Sequence, residues 1–184
     1  MTYKIGYIVG SIAESSINRK LAEAVKGLAP AGVEVEEISI KELPFYDYGN
    51  DGNFSEAGLK FKKAIESKDG LIFATPEYNR SIPGVLKNAL DTASRPWGQN
   101  SFTGKAGAII GASIGKQGTA LAQQHLRTIL GFLNINLLGQ PEVYLTVDEA
   151  TFAADGSIAD ESMRGFLESW WEAFISHLDR VVGH

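Results

Sequence analysis

Three short stretches of this sequence concentrate small polar residues, glycine and proline at points where apolar runs end. They read GSIAESSIN over residues 10–18, TPEYNRSIPG over residues 75–84 and GASIGKQGT over residues 111–119. Such residues supply hydroxyl and amide donors and let the backbone turn sharply or approach a ligand closely. We therefore treat these stretches, named here the first, second and third loops, as the candidate binding site.

The first loop leads from Gly10 into a predicted helix that begins at Ile17, and its side-chain donors are Ser11, Ser15, Ser16 and Asn18. The free N–H groups and the positive dipole end of a helix N-terminus favour an anion, typically a phosphate. The alternative is that one serine caps the helix and the others are ordinary turn residues. The pattern is not G-x-G-x-x-G, which disfavours a dinucleotide site.

The second loop is a polar segment framed by two prolines. Pro76 and Pro83 fix φ and lack N–H donors, so residues 77–82 have few accessible conformations. We interpret this stiffness as a means of presenting backbone groups to the edge of a flat heterocycle, with Tyr78 and Asn79 around it. The alternative is a stiff connection in which Pro83 merely starts the next helix.

The third loop would bring its backbone close to the same ligand through Ser113, Gly115 and Gly118. It differs from a P-loop, because only three residues separate Gly111 from Gly115 and Gln117 replaces the Ser or Thr that would hold Mg²⁺. A nucleoside triphosphate site is therefore disfavoured.

The elements that must position these loops alternate between strands and helices. Apolar runs predict strands at 3–10, 33–38, 70–75, 105–112 and 142–146, and helical periodicity predicts helices at 17–28, 55–67, 83–93, 118–133 and 160–181. This alternation predicts an α/β fold with a doubly wound, five-stranded parallel sheet of order 2-1-3-4-5 in three α/β/α layers. Ligands bind such sheets outside the carboxyl ends of the strands, which is where the loops begin.

Composition limits the classes of function. The 184 residues predict one domain over 1–184, and a net charge of -5 with scattered Lys and Arg argues against nucleic acid as a partner. The absence of cysteine excludes disulfides, Fe–S clusters and thiol redox chemistry, and the three histidines, His125, His177 and His184, lack metal-ligand spacing. Because no apolar stretch reaches about 18 residues, we expect no membrane insertion and a cytoplasmic location.

Together the loops resemble those of the NADPH-dependent FMN reductase family, flavodoxin-like oxidoreductases that include bacterial quinone, chromate and azo-dye reductases. Residues 10–18 are similar to the family's phosphate loop G-S-x-R-x-x-S-x-N, and residues 75–91, TPEYNRSIPGVLKNALD, closely match its signature T-P-E-Y-N-x-S-x-P-G-x-L-K-N-A-[IL]-D. Residues 111–127 resemble the third flavin loop and the helix after it. The resemblance covers nearly the whole chain.

The resemblance implies which residues hold FMN. The residues expected to bind the phosphate are Ser11, Ser16, Ile17 through its amide, and Asn18. The residues expected to line the isoalloxazine edge are Pro76, Glu77, Tyr78, Asn79 and Ser81. Ser113 and Gly115 are expected to close the pyrimidine and ribityl side.

One position departs from the family pattern, because Ala13 stands where the phosphate loop usually has Arg. An Arg forks onto phosphate with two charge-assisted hydrogen bonds that a methyl group cannot make. Either FMN is held more weakly here or a neighbour such as Arg19 substitutes, and the sequence leaves both open.

By the same resemblance, the chain is expected to be an FMN-dependent NAD(P)H oxidoreductase. In its ping-pong cycle, NADPH or NADH would reduce FMN and then leave, after which a small-molecule acceptor such as a quinone, chromate, an azo dye or a ferric chelate would take the electrons. We assign no catalytic side chain, since the cofactor performs the chemistry. Two alternatives remain: a flavodoxin-type electron carrier and a non-catalytic binding protein of the same fold.

Two features outside the loops carry their own expectations. The resemblance implies a homodimer or homotetramer, and Trp97 would wall the open flavin face, contact a partner subunit or be a plain surface aromatic. The last predicted helix carries a stripe that we expect to face the core: Phe166, Leu167, Trp170, Phe174, Ile175 and Leu178.

Overall fold

The structure, a computed structural model, describes residues 2–183 and is centred on a parallel sheet. Its strands are β1 Tyr3–Val9, β2 Val33–Glu37, β3 Gly70–Ala74, β4 Ala106–Ser113, β5 Asn136–Leu137 and β6 Val143–Thr146. They are ordered β2-β1-β3-β4-β5, with β6 also paired to β4, and every pairing is parallel. The predicted doubly wound order 2-1-3-4-5 is therefore confirmed.

Helices cover both faces of the sheet, which confirms the three predicted layers. They are α1 Ile17–Gly27, α2 Glu56–Glu66, α3 Gly84–Ala93, α4 Ala120–Phe132 and α5 Glu161–Val182. One core lies between the sheet and α1 with α5, and the other lies between the sheet and α2, α3 and α4. Within the fully buried β3, Ile72 belongs to the first core while Leu71 and Phe73 belong to the second, as the alternating faces of a strand require.

The outer edge of β4 is occupied by two short strands, and the single strand predicted at 142–146 describes only one of them. β5 pairs with the start of β4 at Ala106 and Gly107, whereas β6 pairs with its end, from Ile110 to Ser113. Pro141 lies between β5 and β6 and has no N–H to donate to a ladder. The strand that carries the third loop is thus held by β6 where it reaches that loop.

The last helix packs as its apolar stripe predicts. Leu167, Trp170, Phe174 and Leu178 are buried, whereas Phe166 and Ile175 of the predicted stripe are half-buried against the same core. The rings of Trp170 and Phe174 stack with centroids 5.4 Å apart. Trp171, which lies outside the predicted stripe, is also buried, and its indole N–H donates to the carbonyl of Val25, 2.8 Å away. This hydrogen bond fixes α5 against α1.

Candidate functional site

The three loops leave the sheet side by side. Beyond β1, the amide of Gly10 donates to the carbonyl of Ala74 at 2.8 Å, and beyond β3 the amide of Thr75 donates to the carbonyl of Ile110 at 3.0 Å. The hydrogen-bond ladder therefore continues to the first residue of the first two loops. All three loops begin at one edge of the sheet, as expected for a ligand site in this fold.

Glycine at position 10 allows the first two loops to pack closely. A methyl group placed on Gly10 would lie 3.0 Å from Cδ2 of Leu86 and 3.4 Å from Cδ of Pro76. Leu86 belongs to α3, so this approach sets the first loop against both the second loop and the helix that follows it.

Asn18 joins the first loop to the third. Its side chain is buried; Nδ2 donates to the carbonyl of Ala112, and Oδ1 accepts from the amide of the same residue, both at 2.9 Å. Ala112 is the residue before Ser113 at the end of β4. The structure thus places the predicted phosphate ligand Asn18 in a backbone clamp that uses both ends of its amide.

Two buried serines in the first loop each keep a hydroxyl donor. Ser16 is the N-cap of α1 and accepts from the amide of Arg19 at 3.3 Å, while Ser11 accepts from the amide of Ala13 at the same distance. A hydroxyl has one donor and two acceptor positions, so both O–H groups can still donate to an anion. Ile17 is the first residue of α1, where a helix has no acceptor for its own amides.

Arg19 is engaged with the protein rather than free at the phosphate loop. Its guanidinium pairs with Glu37 at the end of β2 and lies 3.5 Å from the carbonyl oxygen of Ser11. Ala13 is exposed at the centre of the same loop. Arg19 therefore supports the loop backbone, and the position of Ala13 stays open to solvent.

The second loop is a tight turn, a geometry that its two prolines did not indicate. Tyr78 and Ser81 exchange backbone hydrogen bonds of 2.9 and 3.0 Å, and the two residues between them, Asn79 and Arg80, have φ of 51° and 67°. Positive φ at both central residues is the requirement of a type I′ turn. The turn projects Tyr78, which is 54% exposed, at the edge of the site.

Two side chains of the second loop turn away from the sheet edge and toward α4. Oε2 of Glu77 accepts from the amides of Leu121 and Ala122 at 3.0 and 3.1 Å. Oγ of Ser81 lies 3.0 Å from Nδ1 of His125, a helical residue that the sequence analysis did not connect to the site. These contacts join residues 44 or 45 positions apart, so no local motif could have indicated them.

The third loop folds back on itself. The amide of Gly115 donates to Oγ of Ser113 at 3.0 Å, and the carbonyl of Gly115 accepts from the amide of Gly118 at 3.1 Å. Gly118 has φ of 52° and lies so close to β6 that a methyl group on it would be 2.7 Å from the carbonyl carbon of Tyr144. Thr119 also has a positive φ, of 75°, and neither residue can be helical, so α4 begins at Ala120, two residues after the predicted start.

A cavity of about 760 Å³ opens beside the first loop. Ser16 and Ile17 line it on one side, Ile114 of the third loop on another, and Val147 and Phe152 from the segment after β6 supply an apolar wall. Four carboxylates also line it, namely Glu14, Glu23, Asp148 and Glu149, and no residue of the second loop does.

The remaining sequence candidates lie away from this edge. Trp97 is 79% exposed and lines a separate cavity with Phe132, at the opposite end of α4 from the contact with Glu77. It therefore does not wall the loops of its own chain. Among residues 2–183 no group of His, Asp and Glu is arranged to hold a metal ion, and His184 lies outside that range.

Comparison with known proteins identifies the arrangement. Residues 3–150 match the family model described as NADPH-dependent FMN reductase. The chain belongs to this family. The match confirms the resemblance drawn from the three loops and the expectation of a flavodoxin-like oxidoreductase.

Individual relatives of this FMN reductase family member agree in length as well as sequence. A 2-hydroxy-1,4-benzoquinone reductase from a Burkholderia species is 47% identical over 183 residues, covering 99% of this chain and 100% of that protein. A quinone reductase from Pseudomonas putida is 37% identical and covers 98% of each chain. The solved structure of FerB, a flavoenzyme NAD(P)H:(acceptor) oxidoreductase from Paracoccus denitrificans, has a TM-score of 0.93 at 38% identity, covering 97% of this chain and 98% of that one.

No helix within the described residues is long and apolar enough to cross a membrane.

Proposed function

We propose that this chain is an FMN-dependent NAD(P)H:quinone oxidoreductase that works by a ping-pong cycle. FMN, when bound, supplies the hydride chemistry: it accepts a hydride from NADPH or NADH and passes the electrons to a quinone or a similar small acceptor. The chain's own residues hold the cofactor and stabilise charge. We place the enzyme in the cytoplasm as one domain that assembles into a homodimer or homotetramer.

The observation that carries the proposal is the set of donors left unused at the start of α1. Ser11 and Ser16 are buried and keep their O–H groups, and they lie beside the first amides of a helix whose dipole attracts an anion. These two hydroxyls and the free amides beside them fit the phosphate end of FMN.

The other loops supply what a flat ring requires. The type I′ turn presents the exposed ring of Tyr78 at the site. Backbone N–H groups of the second and third loops, aimed at the flavin edge, would stabilise negative charge on the reduced ring, because preorganised donors need no rearrangement when the charge develops. Pro76 and Asn79 would shape that edge, with Ser113 and Gly115 on the pyrimidine and ribityl side.

One pair of variants tests the phosphate assignment directly. Ser16 and Ser55 are both N-cap serines that accept from the third amide of their helix, at 3.3 Å in α1 and 3.0 Å in α2. Ser16→Ala and Ser55→Ala should each cost about 1 kcal/mol of folding stability. Only Ser16→Ala should also raise the FMN dissociation constant, by about tenfold or more, since a hydrogen bond to a charged group contributes about 1.5–3 kcal/mol.

Turnover is tested by following the visible spectrum of the FMN-loaded protein during anaerobic titration with NADH and then NADPH. Bleaching of the flavin band, followed by its return when a quinone is added after the oxidised nucleotide has been removed, is expected for the ping-pong cycle. A protein that takes up FMN but is not bleached by either nucleotide would be an electron carrier. Failure to take up FMN would support a non-catalytic binding protein.

A further inference from the structure

α4 begins without a cap of its own. Thr119, the residue before its first turn, has φ of 75° and makes no capping hydrogen bond. Its Oγ1 instead accepts from Nε2 of Gln123 at 3.0 Å. By contrast, α1, α2 and α5 are each capped by a side chain immediately before the helix.

The missing cap is supplied from the second loop. Oε2 of Glu77 accepts from the amides of Leu121 and Ala122, the second and third residues of α4. These are the positions that an ordinary N-cap side chain would satisfy, and a carboxylate is favoured there by the helix dipole. The Glu77 side chain is only 13% exposed, so little water is available to replace it.

This contact also constrains the loop that carries Glu77. Pro76 precedes Glu77, and Tyr78 after it begins the type I′ turn, which closes on itself. Glu77 and Ser81 tie the turn to α4 through Leu121, Ala122 and His125. The position of Tyr78 relative to the third loop therefore depends on where α4 holds these two side chains.

We propose that Glu77 is a positioning residue and not a flavin ligand: by capping α4 it fixes the second loop against the third and so sets the place of the flavin ring. The inference rests on the proposed function for its flavin part. Its structural part, the cap on α4, can be measured without cofactor.

The test compares Glu77→Ala with Glu77→Gln. The amide of Gln keeps an oxygen acceptor of the same reach, whereas Ala leaves the amides of Leu121 and Ala122 without their acceptor. The matched control is Glu56, an exposed carboxylate in the first turn of α2, substituted in the same two ways.

Hydrogen exchange of the cofactor-free protein, followed by NMR, measures the cap. In Glu77→Ala the amides of Leu121 and Ala122 should exchange about tenfold faster, and in Glu77→Gln less than threefold faster. The Glu56 variants should leave both amides at the wild-type rate. Unchanged exchange in Glu77→Ala overturns the proposal.

Flavin titration measures the positioning. In Glu77→Ala the FMN dissociation constant should rise about tenfold and the visible circular dichroism of bound flavin should change, while Glu77→Gln restores both to near the wild-type values. Glu77→Ala with faster amide exchange but wild-type FMN binding and dichroism also overturns the proposal, because the cap would then not position the ring. If Glu77→Ala does not fold, Glu77→Gln still decides, because it should bind FMN with a dissociation constant near the wild-type value. A tenfold higher dissociation constant in Glu77→Gln, with an unchanged FMN spectrum, then overturns the proposal. Wild-type protein that takes up no FMN refutes the proposed function and the positioning role together, while the exchange rates still decide the cap.

Discussion

Replacing Asn18 by Ala removes the clamp between the first and third loops. The substitution leaves the N–H and the carbonyl of Ala112 without partners, and both lie in a buried contact. An unsatisfied buried group costs about 1–3 kcal/mol, so the two together give about 2–6 kcal/mol and a central value of ~4 kcal/mol. For a chain of this size that loss lowers the melting temperature by about 8–16 °C.

The assay is urea unfolding of the cofactor-free protein at pH 7, with Asn88→Ala as the control. Asn88 makes the same kind of double contact, donating to the carbonyl of Pro44 at 2.9 Å and accepting from the amide of Tyr46 at 2.7 Å, but it is only half-buried. Water can replace its lost partners, so we expect about 1 kcal/mol from this variant. Equal losses for the two variants, or a loss below 1 kcal/mol for Asn18→Ala, would refute the reasoning.

Asn18→Asp adds a test of sign. The new carboxylate can accept from the amide of Ala112 but faces its carbonyl oxygen, which raises the pKa of the introduced group above that of the unfolded chain. The protonated Asp therefore stabilises the fold fully below the pKa of Asp in the unfolded chain, near 3.9, and this contribution is lost as the pH rises through the pKa of Asp in the folded chain. Asn18→Asp should therefore be closest to wild type near pH 4 and weakest at pH 7.

Three further predictions concern single positions. Gly111→Ala would place a methyl group 2.0 Å from Oγ1 of Thr119 and should lower the free energy of unfolding in urea by at least about 1–3 kcal/mol. In the control Gly131→Ala the methyl group meets nothing within 4 Å, so this variant should stabilise α4 by up to ~1 kcal/mol. Burial raises the pKa of the Tyr7 hydroxyl, and the hydrogen bond to a carboxylate raises it further. The contribution of Tyr7 to the free energy of unfolding is therefore complete below pH ~10 and is lost above it at up to about 1.4 kcal/mol per pH unit. In Tyr7→Phe the free energy of unfolding should fall less steeply between pH 10 and 11.5. Ala13→Arg should lower the FMN dissociation constant about tenfold in a fluorescence titration, and an unchanged constant would count against this phosphate geometry.

The sheet order could be predicted because β1, β3 and β4 are largely apolar runs separated by helices with clear periodicity. The second outer strand could not, since the two residues Asn136 and Leu137 are too few to show any period. Their pairing depends on the hydrogen-bonding edge at the start of β4, which only the assembled sheet provides.

The loops of the site could be located from sequence, but their internal contacts could not. Ser16 was correctly expected at a helix start, because capping is local. The clamp of Asn18 on Ala112 spans 94 positions, and the cap of Glu77 on Leu121 spans 44. The family resemblance implies that Asn18 and Glu77 contact the ligand. In the structure, the polar atoms of both side chains form hydrogen bonds to the backbone of other elements.

The place of α5 in the chain has a consequence for synthesis. Trp170, Trp171 and Phe174 fill the core on one face of the sheet, and they belong to α5, which is synthesised after β1 to β6. Until residue 178 has emerged, that face is covered by α1 alone, and its apolar side chains are available to chaperones or to other nascent chains. A nascent chain stalled before Glu161 should therefore be cut readily by protease, and one stalled with all of α5 outside the ribosome should resist.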